Sequence, residues 1–167
     1  PGFVDSHNHL IWSGDRSNEM SMRQTGMTYR DISEQGGGIK KTVKSTRRTS
    51  IDQLVNSGIS RIHNALINGT TSMEVKSGYG LNTENELKIL KAIDEIKKHE
   101  ILNIHATWLG AHDFPDDKTR EQYIDELITE QLPLISENKL ANWVDVFCEP
   151  GWYTVEETEY IVNESKK

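Results

Sequence analysis

Stretches with apolar residues at every third or fourth position alternate along this chain with short, nearly continuous apolar runs. That alternation restricts the fold more than any other property of the sequence. From Ser50 to Asn68, Ile51, Leu54, Val55, Ile59, Ile62, Leu66 and Ile67 fall at helical steps, and Ser50 is placed to cap the helix they predict. Gly69-Thr70-Thr71 then turns the chain into a strand over 72–76. In the next cycle Thr83 is the expected cap, Leu87, Ile89, Leu90, Ile93 and Ile96 mark the helix, and a strand is expected over 101–109. A third helix runs through Tyr123, Leu127, Ile128 and Leu134, broken or kinked near Pro133, before a strand over 143–149. The tail from Thr154 begins another helix, and residues 1–9 supply the first strand. Strands joined by single helices are parallel βαβ units with right-handed crossovers.

Two α/β architectures satisfy this pattern: the first half of a TIM-type (β/α)8 barrel, or a complete doubly wound sheet. A whole barrel needs eight strands and typically about 250 residues, so four units over 1–167 make about half of one. The barrel is favoured because polar residues able to do chemistry stand at the C-terminal ends of all the strands: His7 and His9, Lys76 and Tyr79, His112, then Cys148 and Glu149. A doubly wound sheet would gather its site at one switch point, and no G-x-G-x-x-G or Walker sequence is present to fill it. The chain starts at Pro1, without an initiator Met, directly on a buried-looking strand, and is expected to be a piece of a longer protein.

Residues 10–48 are polar, weakly periodic and rich in glycine, and are expected to form a long functional loop or lid with at most short helices. The basic stretch from Lys40 to Arg48 is interrupted and carries no aromatic stacking residues, so a solvated loop is expected there and no nucleic-acid partner. A net charge of −7 with 27% charged residues is that of an ordinary acidic soluble protein. The single cysteine, Cys148, rules out an internal disulfide and fits a reducing, cytoplasmic setting, with packing as its expected role. No apolar run is long enough for a membrane span, and no signal peptide is visible.

The first strand ends in the His-x-His pair His7 and His9. Side chains two apart on a strand point the same way, so two neutral imidazoles can grip one transition-metal ion. Around this pair the chain resembles a known family. Pro1-Gly-Phe-Val-Asp-Ser-His-Asn-His9, Gly14-Asp15-Arg16, Gly36-Gly-Gly-Ile39, Thr42-Val43, Thr46-Arg47, Glu74-Val-Lys-Ser-Gly-Tyr-Gly-Leu81, Leu109-Gly-Ala-His112 and Asp145-Val-Phe-Cys-Glu149 are similar, in order, to segments of the imidazolonepropionases of the amidohydrolase superfamily. The His-x-His pair alone marks only the superfamily; the segments 74–81 and 109–112 are far more specific.

The resemblance implies hydrolysis of 4-imidazolone-5-propanoate to N-formimidoyl-L-glutamate in histidine degradation, by a barrel whose later strands and small β-sandwich domain lie outside this sequence. One divalent metal, zinc or iron, would be held by His7 and His9. Arg16 would bind the substrate carboxylate and Tyr29 would contribute to the same end of the pocket. Tyr79 would contact substrate, and His112 would hydrogen-bond the imidazolone ring or its carbonyl as an electrophilic or proton-transfer group. The family also implies an acid/base glutamate, a further histidine and an aspartate from later strands, and a homodimer. Lys76 is expected to form a buried ion pair with a carboxylate such as Glu74 or Glu149. His63, His99 and His105 are expected to be structural. Two other readings share parts of these features: a sister amidohydrolase or deaminase without need of Arg16, and a non-catalytic βα-repeat binding module. The fragment alone is expected to be inactive.

Overall fold

A computed structural model of the chain describes residues 1–28, 31–32, 35–99 and 102–167. In chain order the elements are β1 (Phe3–Asp5), α1 (Asn18–Gln24), α2 (Ile39–Arg48), α3 (Ile51–Ile67), β2 (Thr70–Lys76), α4 (Thr83–Lys97) and β3 (Asn103–Ala111). Then come α5 (Arg120–Glu126), a π-helical turn (Leu127–Gln131), α6 (Leu132–Glu137), β4 (Trp143–Val146) and α7 (Val155–Glu164). The four strands form one sheet in the order β1-β2-β3-β4, every neighbouring pair parallel, curled into a half-barrel. A doubly wound sheet reverses its strand order at a switch point. This sheet has no reversal, because each crossover advances by one strand in the same direction.

The pleat divides the residues of each strand between two faces. Met73 and Val75 of β2, with Ile104, Ala106 and Trp108 of β3, are buried in the main core together with Leu54 and Ile62 of α3 and Ile89, Leu90, Ile93 and Ile96 of α4. Gly58 lets α3 approach closely: a Cβ there would lie 2.5 Å from Ile96 and 2.8 Å from Ile11. Glu74, Lys76 and Thr107 share the concave face. The Lys76 ammonium sits 2.8 Å from both Glu74 and Asp145, and the Thr107 hydroxyl donates to Glu74 at 2.6 Å. The expected partner Glu74 is therefore present, but Asp145 takes the place suggested for Glu149. Burial works against the Lys76 charge, and its two carboxylates outweigh it, holding the pKa above the usual lysine value.

Three helices begin in reciprocal capping boxes, Ser50 with Gln53, Thr119 with Gln122 and Thr154 with Glu157. Helix α4 is capped by Asn82, whose side chain accepts the Asn85 N–H at 2.9 Å. Thr83, the expected cap, is instead the first helical residue and donates to Glu126 through its backbone and hydroxyl. Residues 10–48 are not one long loop, and the basic stretch is not a solvated loop: it is the helix α2. Its buried face consists of Thr42, Val43 and Thr46, which leaves almost no apolar periodicity to read. The expected irregularity near Pro133 takes the form of a π-turn between two α-helical segments and not of a chain break. Pro133 follows the π-turn, whose wider hydrogen-bond spacing accommodates a ring that would strike the carbonyl four residues earlier in an α-helix. None of the described helices is long and apolar enough to cross a membrane.

Candidate active site

The histidine pair lies just beyond β1, not on it. Asp5 ends the strand by accepting the His7 backbone N–H at 3.3 Å and the Asn8 side-chain amide at 3.0 Å. The Lys76 N–H then donates to the Asn8 carbonyl at 2.8 Å, which keeps the turn attached to β2. Behind the pair, Arg61 of α3 donates to the carbonyls of Leu10 and Trp12 at 2.7 and 3.1 Å and lies 4.0 Å over the Trp12 ring. The His7 and His9 rings end up 5.8 Å apart and inclined by 66°, rather than side by side as on a regular strand.

His9 is the centre of a ring cluster. Its imidazole stacks on His112 at 4.6 Å and 13°, and Tyr79 packs at 4.9 Å. Burial, with the adjacent His112 and His7, pushes the His9 pKa down to about 3, so the ring is neutral at physiological pH. Its Nδ1 is buried with no protein partner. A neutral imidazole with an unpartnered buried nitrogen beside a second, exposed histidine fits a two-histidine contribution to a metal site. Among the described residues, no group of three or more His, Cys, Asp or Glu is placed to hold a metal, so this pair would need ligands from elsewhere.

His112 follows the C-terminal end of β3, and its Nδ1 lies 2.9 Å from the Gly78 carbonyl. That contact makes Nδ1 the protonated nitrogen and leaves Nε2 as an acceptor. Burial lowers the His112 pKa, opposed by the Gly78 carbonyl and by Asp113. His112, Tyr79 and Arg16 line a cleft of about 230 Å³ together with Ile39, Asp113, Phe147 and Trp152. Tyr79 and Arg16 also line a second cleft of similar size with Trp12, Gly14 and Thr42, so these two side chains stand at the junction of both. Arg16 is anchored by Glu19, which takes Nε at 3.0 Å and Nη2 at 2.8 Å. Glu19 is itself buried and accepts the Gly38 N–H at 2.9 Å, so α1 and the start of α2 jointly fix the guanidinium.

The structure thus brings His7, His9, Tyr79, His112 and Arg16 to one end of the sheet; Tyr29 lies outside the described residues. His63 is exposed on α3, His99 lies exposed in the turn after α4 and not on the helix as expected, and His105 stacks on Trp143 at 5.0 Å on the concave face; none joins the cluster. Cys148 is exposed, which corrects the expectation that it packs: β4 ends at Val146, and the chain then leaves the sheet. The sequence reading missed Glu19, Asp113 and Glu86. Glu86 had a legible signal, since it occupies the position that extends the apolar stripe of Ile89, Leu90 and Ile93 back by one helical step. Burial raises the Asp113 pKa beside His112.

No family model matches the chain. It is 43% identical over 169 aligned residues to the imidazolonepropionase of Thermoanaerobacter pseudethanolicus, covering 100% of this chain and 41% of that protein. The imidazolonepropionase of Symbiobacterium thermophilum is 44% identical over 169 residues (99% and 40%), and that of Flavobacterium johnsoniae 43% over 164 (97% and 40%). The chain spans about two fifths of the length of these curated relatives.

Proposed function

We propose that this chain, which belongs by sequence to the imidazolonepropionase family, carries the substrate-binding wall and two of the metal ligands of a hydrolase that opens 4-imidazolone-5-propanoate to N-formimidoyl-L-glutamate. The observation that carries this reading is the meeting of Arg16, Tyr79 and His112 around one pair of adjoining clefts beside His7 and His9. The four-stranded half-barrel would be the first half of a (β/α)8 barrel, whose later strands bring the remaining ligands and the acid/base carboxylate.

The substrate has a propionate at one end and a cyclic amide at the other, and the clefts offer a matching division. Arg16, held rigid by Glu19, supplies a fixed cation for the carboxylate, and a preorganised guanidinium loses little entropy on binding. Tyr79, at the junction, spans carboxylate end and ring end. His112, protonated on Nδ1 by its bond to Gly78, accepts a ring N–H through Nε2 and so orients the amide. His7 and His9 would hold a zinc or iron ion, which when bound supplies a hydroxide at neutral pH and polarises the amide carbonyl. The apolar walls of Ile39, Phe147 and Trp152 reduce the water around the ring.

The test is Arg16→Met in the full-length protein. Loss of a charge-assisted pair with the propionate raises KM for imidazolonepropionate by about 10- to 100-fold, with kcat changed far less. An unchanged KM would remove Arg16 from the carboxylate site and favour a sister amidohydrolase acting on an uncharged ring.

A further inference from the structure

We propose that Glu86, a fully buried carboxylate of α4, is the positioning residue of this site: the loop 77–81 wraps around it, and that loop sets His9, Tyr79 and His112 together. The inference rests on reading those residues as site residues. Glu86 is 0% exposed. Its Oε1 accepts the backbone N–H groups of Gly80 at 2.6 Å and Leu81 at 2.9 Å, and its Oε2 that of Gly78 at 3.0 Å. A buried carboxylate is costly unless its lone pairs are filled, and here the backbone of one loop fills them.

From the opposite side Arg47 of α2 grips the same loop by its carbonyls, Nε to Gly80 at 2.6 Å and Nη2 to Leu81 at 2.8 Å. Held between a carboxylate on its N–H groups and a guanidinium on its C=O groups, the loop sustains a φ of +113° at Gly78 and of +49° at Leu81, a conformation that is rare for a leucine. No side chain fits at Gly80, where a Cβ would lie 2.4 Å from the Glu86 nitrogen.

The loop's remaining polar groups face the site. Gly78 relays the contact through the two peptide groups that flank its Cα: its N–H is on Glu86, and its C=O fixes the His112 tautomer at 2.9 Å. Tyr79, between the two glycines, packs on the His9 ring at 4.9 Å. Leucine at position 86 would continue the apolar stripe of α4, yet it would strand three backbone donors and release the loop.

The experiment compares Glu86→Gln and Arg47→Met with the wild type in the full-length protein. It uses histidine ring ¹⁵N NMR for the His112 tautomer, steady-state kinetics on imidazolonepropionate, and thermal unfolding. Glutamine keeps the shape but turns an acceptor into a donor facing backbone N–H groups. The expected result is a His112 signal that shifts from the Nδ1–H form to a mixture, His105 unchanged, and kcat/KM down about 10- to 100-fold in protein that remains folded. If Glu86→Gln does not fold, Arg47→Met decides, with the same change in smaller degree. An unaltered His112 tautomer in the folded variants overturns the proposal, as does a loss of activity no larger than the fraction unfolded. The spectra need no substrate, so a wild type that fails to hydrolyse imidazolonepropionate refutes the functional reading and leaves the role of Glu86 decided separately.

Discussion

Glu19 shows how a single side chain ties stability to the site. The residue is 4% exposed, and its carboxylate accepts from two nitrogens of Arg16 and from the Gly38 N–H. The Arg16 bonds hold its pKa below the ordinary 4.5, with burial opposing them. A lowered folded-state pKa contributes stability that is present above the unfolded value and is lost as the pH falls through the folded one. Thermal unfolding of the full-length protein should therefore show a midpoint that drops below pH 4.5 more steeply for the wild type than for Glu19→Gln. Parallel curves would mean that Glu19 contributes no such linkage. At this scale the sequence was legible where a motif singled out side chains that the fold gathers, as at His7, His9, Tyr79 and His112. It was silent where a residue acts through another: Glu19 is recognisable only once α1 and α2 have placed Arg16 and Gly38 around it. Glu86 lay between these cases, a charged residue on an apolar stripe whose meaning depends on the loop folded over it.

Among the elements, α2 has the weakest signal in the sequence and is held by tertiary contacts. Lys88, reaching across from α4, donates to the carbonyls of Thr46, Arg47 and Thr49 at 2.9–3.1 Å. A lysine ammonium thus adds to the cap that Thr49 makes on the Ser45 and Thr46 carbonyls, and it complements the negative end of the helix dipole. Lys88→Met should cost on the order of 1 kcal/mol, discounted for its partial exposure, and should speed amide exchange in the last turn of α2 and at Thr49. Exchange unchanged there would show that the cap is not what stops fraying. The helices α3 and α7 were readable because propensity, apolar spacing and capping residues agree, and α4 from its apolar spacing, although its cap is Asn82 and not Thr83. The strand ends were not, because β3 continues through Gly110 to Ala111 in a buried setting, whereas β4 stops early at Val146.

On the scale of the whole molecule, the half-barrel presents two edge strands, β1 and β4. Phe3 and Val4 of β1 are each 71% exposed and Trp143 of β4 is 50% exposed. Unpaired strand edges flanked by large apolar side chains are templates for association. A 167-residue polypeptide of this sequence should therefore self-associate at micromolar concentration in sedimentation velocity. A monodisperse monomer would show that these surfaces are harmless on their own. The sequential order of the strands also bears on how such a sheet is made. Each strand pairs with the one synthesised just before it, so every new βα unit finds its docking edge already outside the ribosome. The partners nevertheless lie far apart along the chain, Phe3 with Thr70 and Ser72 with Asn103, so each crossover has to be made and packed before its strand can add to the waiting edge.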